Sequence, residues 1–235
     1  MAQAKADAEA SQPKPANTNA IDPVKATQSL NSFSDRLKAI VGDSLQNAKE
    51  IRAKAEGGDA AAQTELAASL AQQGDYAGAM EWYLKAAQQG DSKAEHALGV
   101  MYIVGQGATV DYAEAVKWFT LAANKGDVDS QYSLGVRYAK GDHVQQNFTE
   151  AVKWFSMAAN QGQPDAQVSL SRRYAAGEGV QKDVVEAYKW AVVAGDYWSA
   201  SSVREPLAKT MTPEQIAEAE KRAEAFKPVN TSKPH

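Results

Sequence analysis

Residues 115–127 read AVKWFTLAANKGD, and residues 151–163 read AVKWFSMAANQGQ. Nine of the thirteen letters are identical, at an offset of 36. Self-similarity at a fixed spacing of roughly 20–50 residues marks a repeat architecture, and it governs how every other motif is read. The same spacing runs outward in both directions. Trp82, Trp118, Trp154 and Trp190 lie 36 apart, and Ala79, Ala115, Ala151 and Ala187 precede them in step. Ala86-Ala87, Ala122-Ala123 and Ala158-Ala159 follow, and then Gly90, Gly126 and Gly162.

Each of those glycines introduces a second recurring phrase. Residues 94–102 read AEHALGVMY, 130–138 SQYSLGVRY and 166–174 AQVSLSRRY, with a degenerate version, AQTELAASL, at 62–70. Leu98, Leu134 and Leu170 are in register, as are Tyr102, Tyr138 and Tyr174. Polar loops with glycine (GQGATVDY, GDHVQQNF, GEGVQKDV) join the two phrases. The leucine and tyrosine are four apart and share one helical face. Gly99 is small enough to admit a neighbouring helix. In the other phrase Ala115, Trp118 and Ala122 share a face, with Phe119 and Ala123 beside it. Each unit therefore reads as two helices of about 12–14 residues. One such hairpin cannot bury its large side chains alone, whereas stacked hairpins can, and that defines a solenoid.

Phrases of the type AQxxLGxxY, GxGVxxD and EAxxWxxxAAxxG, closing in 36 residues, resemble the Sel-one-like repeat family, a longer relative of the tetratricopeptide repeat. The resemblance spans roughly residues 44–195 and is bacterial in style. It implies an all-α fold, a right-handed α-solenoid of about four helix-turn-helix repeats with capping helices at both ends. It also implies a non-enzymatic protein–protein interaction scaffold or adaptor, with roles in complex assembly, envelope or signalling regulation, or host interaction. In such repeats the first helix of each hairpin lines a concave groove. Two residues before and two after the leucine then give the groove columns: Thr64, His96, Tyr132 and Val168, and Ala68, Val100, Val136 and Arg172. Lys93 and Lys140 flank this surface, with Arg137 and Arg173 at its edge. Lys93, His96, Val100, Tyr132, Val136 and Arg172 are the candidate partner-binding residues. They suit an extended peptide or helix carrying acidic groups.

The fourth unit departs from the pattern. Ala191 replaces the aromatic after Trp190, Ser171 stands where glycine stood, and Gly195 comes three residues early. Terminal repeats are atypical because their outer face meets a cap or water. Tyr197 and Trp198 read as packing the cap onto the last repeat, with an exposed partner anchor as the alternative. Residues 206–226 resemble the closing helices of the family, and Thr212, Pro213 and Gln215 form a helix start with a capping box.

Outside the repeats, residues 1–21 hold no large apolar residue between Met1 and Ile21 and read as a disordered segment. Residues 22–57 read as two helices, a cap or half repeat. Asp22 and Pro23 start the first, which carries Leu30, Phe33, Leu37, Ile40 and Val41 on one face. Gly42-Asp43-Ser44 closes it and caps the second, which carries Leu45, Ala48, Ile51 and Ala55. The first helix is expected to cap the solenoid, with plugging of the groove or self-pairing as alternatives. The solenoid spans 58–195, the C-terminal cap 196–226, and a disordered tail 227–235.

The chemistry is thin. The chain has 235 residues, a formal net charge of −4 and no cysteine. No basic field attracts nucleic acid, no thiolate chemistry is available, and no apolar run is long enough to span a membrane. The three histidines, His96, His143 and His235, lack metal-ligand spacing, so no metal or cofactor is expected. The GQG and GEG loops have neither a preceding strand nor a following Lys-Ser/Thr, which excludes a phosphate loop. Glu114, Glu150 and Glu186 recur as first-turn acids that suit the helix dipole. The tryptophan column is too invariant for a base-reading code and reads as inter-repeat core. Against the scaffold stands an exported or periplasmic regulatory or immunity-type inhibitor; an enzyme is the minor reading. The compartment is cytoplasmic if the chain is complete as given, and periplasmic or secreted if a signal peptide was removed. The identity of the protein partner and the oligomeric state are open.

Overall fold

The computed structural model describes residues 42–229. The expectations for residues 1–41, a loose segment followed by a capping, plugging or self-pairing helix, lie outside the described residues, as does the tail 230–235. The chain divides into two units, residues 1–50 and 51–235, and the repeats lie in the second.

The described chain opens in a helix, α1 (residues 42–56). Residues 42–44, where a break and a cap were expected, are already helical, and Leu45 is exposed. Four hairpins follow. They pair α2 (Ala60–Gln72) with α3 (Tyr76–Gln88), α4 (Ser92–Val104) with α5 (Tyr112–Asn124), α6 (Val128–Lys140) with α7 (Phe148–Asn160) and α8 (Pro164–Ala176) with α9 (Val184–Val193). Each helix packs on its hairpin partner, and each second helix packs on the first helix of the next repeat. The result is an α-solenoid, with no strand among the described residues.

The helix starts are written in the sequence. Asp59, Asp75, Asp91, Asp111, Asp127, Asn147, Gln163 and Asp183 each accept a first-turn backbone N–H. Each such cap contributes about 1 kcal/mol.

Within a repeat the core is a leucine against an aromatic. Leu98, Leu134 and Leu170 are buried, and so are Phe119 and Phe155. The phenylalanines, which had been placed beside the tryptophan face, are the deepest large side chains. Gly99 and Gly135 make room for them. A Cβ on Gly99 would stand 2.8 Å from the Phe119 ring, and one on Gly135 2.6 Å from Phe155. The fourth repeat solves the same contact differently. Ala191 leaves space, Ser171 fills it, and the Ser171 hydroxyl donates to the Ala187 carbonyl at 2.6 Å. Two departures seen separately in the sequence are thus one compensated pair.

The tryptophans staple successive repeats. Trp118 packs on the cluster of Ala79, Tyr83 and Leu98, Trp154 joins that of Phe119 and Leu134, and Trp190 joins that of Phe155 and Leu170. Tyr102, Tyr138 and Tyr174 are half-buried around them, and Trp82 packs back toward Leu66. The indole N–H groups of Trp118, Trp154 and Trp190 are buried without a hydrogen-bond partner among the described residues. Apolar contact outweighs that loss.

The C-terminal cap consists of α10 (Ser201–Ala208) and α11 (Pro213–Glu224). Its first helix lies within the expected span 196–226, five residues before the 206–226 segment that resembles the closing helices, and Pro206 falls inside α10. Thr212 and Gln215 form the expected capping box. Tyr188 of α9, Met211 and Ala219 hold the cap in place. Tyr197 is half-buried, but Trp198 is 80% exposed and does not pack the cap.

Candidate binding surface

The first helices α4, α6 and α8 present equivalent positions at 36-residue steps, and the candidate residues divide into two sets. Lys93, Val100 and Arg172 are exposed, with Val136 half-buried beside them. None of Lys93, Lys140 or Arg172 forms an ion pair among the described residues; Arg172 only approaches the Ser202 hydroxyl, at 3.4 Å.

The other column turns into the joints between repeats. Val168 is buried. The His96 Nδ1 lies 2.8 Å from the Ser130 hydroxyl and 3.4 Å from the Asp127 carboxylate, and the ring packs on Phe119. Tyr132 packs on Phe155 and is half-buried, which raises its hydroxyl pKa. His96 and Tyr132 are therefore joint residues with only an edge toward solvent. A count of two from the leucine missed this, because a residue there points along the solenoid toward the next repeat.

Ser130, His96 and Asp127 invite comparison with a hydrolytic triad, but their geometry excludes it. A triad uses one imidazole nitrogen for the serine and the other for the acid. Here Nδ1 faces both, Asp127 also caps α6 by accepting the Ser130 N–H at 2.7 Å, and Ser130 is fully buried. The net effect on Asp127 is a carboxyl held below its ordinary range. Burial pushes it up, and the hydrogen bonds from His96 and Ser130 outweigh that. Among the described residues no three His, Asp or Glu converge on a metal-sized site.

The joints also contain a polar ladder that the sequence reading passed over. The Gln63, Gln131 and Gln167 side chains donate to the carbonyls of Ala55, Ala123 and Ala159, each eight residues earlier. Gln89 donates to Gln63, and Gln161 to Gln131, at 2.8 Å. At the joint between them, Glu95 takes the glutamine position and pairs with Lys125 at 2.5 Å. The signal was the glutamine of the AQ dipeptide, quoted as part of a phrase but not read as a group needing partners.

At the far end of the face of α4, α6 and α8, the Tyr197 hydroxyl donates to Asp165 of α8, and this raises the Tyr197 pKa. Trp198 stands exposed next to it.

This architecture has known relatives. The Sel1 repeat family model matches residues 60–91, 92–127, 128–163 and 164–194. Two solved structures are similar over most of the chain. One is a protective antigen of uropathogenic Escherichia coli with an SLR fold, 31% identical, with a TM-score of 0.69 over 77% of this chain and 40% of that one. The other is a Sel1 repeat protein from Oxalobacter formigenes, 34% identical, with a TM-score of 0.65 over 68% of this chain and 48% of that one. The chain thus spans less than half the length of either structure. No curated protein sequence is similar enough to count as a relative. Proteins built from these repeats are generally interaction scaffolds, and no described helix is long and apolar enough to cross a membrane. With all four of its hairpins matched, the chain belongs to the Sel1 repeat family.

Proposed function

We propose that the chain is a non-enzymatic scaffold that holds a partner peptide or helix along the exposed face of α4, α6 and α8. The supporting observation is a column in register, Val100, Val136 and Arg172, with Lys93 and Lys140 flanking it. Its cationic groups form no ion pair among the described residues. Trp198 extends the face at its C-terminal end as an aromatic anchor, the type of residue that dominates interface energetics. His96 and Tyr132 contribute their exposed edges and set the spacing of the repeats beneath the ligand. An acidic, amphipathic segment fits this surface, with apolar residues on the valines and carboxylates near the cations.

The test is affinity capture by the full chain compared with a Val100→Asp, Arg172→Glu variant. Both positions are exposed, so the melting temperature should be unchanged while capture falls at least tenfold. Undiminished capture would remove the ligand from this face. A single Trp198→Ala change should weaken capture by itself.

A further inference from the structure

Beyond α11 the chain runs extended across the edge of the solenoid where the second helices end. Phe226 sits edge-on to Trp190, with ring centroids 5.3 Å apart, and packs on the same cluster as Val193. Pro228 lies against Gly162, 3.5 Å from where a Cβ would stand. The Val229 N–H donates to the Asn160 carbonyl at 2.8 Å, one of the carbonyls that the end of α7 leaves without a helical partner. The segment Phe226-Lys-Pro-Val229 is thus an extended peptide seated on one repeat edge.

The edge one repeat earlier has the same parts. Val193, Gly162, Asn160 and Gln167 correspond, 36 residues back, to Met157, Gly126, Asn124 and Gln131. At the later edge Val193 is half-buried beside Phe226. At the earlier one Met157 is 41% exposed, and Leu121, one repeat earlier still, is 46% exposed. Between Met157, Gly126 and Gln131 lies a cavity of about 320 Å3, closed on one side by Val229. The Asn124 carbonyl accepts no backbone hydrogen bond among the described residues.

We propose that this edge is a second binding surface, separate from the face of α4, α6 and α8. Its occupant is an extended segment of another protein with the pattern that Phe226-Lys-Pro-Val229 displays in cis. An aromatic or aliphatic residue covers Met157, a proline lies flat on Gly126, and a backbone N–H reaches the Asn124 carbonyl. Gly162 and its counterpart Gly126 have positive φ values, 92° and 95°, that favour glycine, and they offer the proline a flat surface at ordinary contact distance. Recognition through main-chain hydrogen bonds with apolar anchors is the ordinary logic of extended-peptide binding.

The probe is a synthetic peptide, AFKPVN, which is the sequence of residues 225–230, added to the full chain. Amide NMR shifts should move and saturate at Asn124, Gly126 and Met157. A Met157→Glu variant, altered at an exposed position, should keep its melting temperature and bind the peptide at least tenfold more weakly. A control peptide with serine in place of Phe, Pro and Val should not bind. Shifts confined to Gly162 and Trp190 would mean that the peptide only displaces the chain's own segment, and would overturn the proposal. Equal binding by the Met157→Glu variant would do the same. Concentration-dependent self-association abolished by Met157→Glu would overturn it in favour of a second copy as the occupant.

Discussion

Two neighbouring joints of this solenoid share a backbone design and differ in chemistry. The joint between the α4–α5 and α6–α7 hairpins contains Glu95, Lys125, His96 and Asp127. The next joint has Gln131, Gln161, Tyr132 and Gln163 at the same four positions. The first is made of ionisable groups and the second of amides and a phenol. In the second, Gln131 donates to the Ala123 carbonyl and accepts from Gln161 at 2.8 Å. In the first, a carboxylate has no N–H to donate to the equivalent Ala87 carbonyl. Glu95 pairs with Lys125 through one oxygen, and its other oxygen is buried without a partner. One contact is common to both: Lys125 donates to the Gly90 carbonyl and Gln161 to the Gly126 carbonyl, each at 3.1 Å. The repeat thus fixes where a polar pair must sit but leaves its charge free to change.

The largest effect tests what the two joints have in common. Phe119→Ala and Phe155→Ala each empty an equivalent, fully buried site against a glycine and a leucine. Core phenylalanine truncation costs about 3–5 kcal/mol. The two losses should agree within about 1 kcal/mol by denaturant unfolding, because the surrounding contacts repeat. Neighbouring repeats are coupled only through their interfaces, so hydrogen exchange should accelerate most in the hairpins flanking each lesion. A clearly smaller loss for Phe119→Ala would show that the charged joint is already loose.

The next effect separates the joints. Lys125→Ala leaves the Glu95 carboxylate, only 2% exposed, without its cation. Removing one member of a buried pair is expensive, although the lysine end is 40% exposed and water screens part of it. A loss of about 2 kcal/mol is expected by thermal or urea unfolding, against about 1 kcal/mol for Gln161→Ala, which strands no charge and removes only neutral bonds, among them those to Gln131 and the Gly126 carbonyl. The double change Glu95→Gln, Lys125→Gln rewrites the charged joint as the amide joint. It should restore wild-type stability or exceed it by about 1 kcal/mol, because an amide adds a second N–H to the Ala87 carbonyl, which already accepts from Gly90, and no buried charge is left. A double variant less stable than Lys125→Ala would show that the two joints are not interchangeable.

The repeat frame was legible because it is local. Helix faces, caps and the 36-residue register follow from spacing alone, and the leucine, tryptophan and tyrosine columns fall in the core or its margin. What spacing did not reveal depends on direction in three dimensions. His96 and Tyr132 are two residues from the leucine on the face expected to meet a ligand, but spacing does not show that each ring also packs on the phenylalanine of its own hairpin or that His96 reaches Ser130 of the next. The Gln63, Gln131 and Gln167 ladder was visible as letters, but its acceptors lie in the preceding hairpin. The contact of Phe226 with Trp190 spans 36 residues, and no local pattern announces it. Trp198, one residue past Tyr197, points outward at a turn whose geometry the repeat does not dictate.

The smallest effect is a pH dependence that belongs to one joint. Asp127 has its carboxyl pKa held below the ordinary value, with the hydrogen bonds from His96 and Ser130 outweighing burial. A carboxyl depressed in the folded state binds protons more readily when unfolded. Its contribution is therefore complete above the unfolded value of about 4 and disappears as pH falls through the lower folded value. At the neighbouring joint the same cap is Gln163, accepting the Ala166 N–H at 2.7 Å, which does not titrate. On acidification from pH 6 to pH 3, amide exchange at the start of α6 should accelerate before that at the start of α8. Asp127→Asn keeps a competent cap, so at pH 7 it should cost less than about 1 kcal/mol, and it should remove the difference between the two helices. If α6 and α8 open together in the wild type at pH 3, Asp127 does not set the acid limit. Its depressed pKa would then be balanced by residual interactions in the unfolded chain, and the charged joint would differ from its neighbour in composition without differing in response.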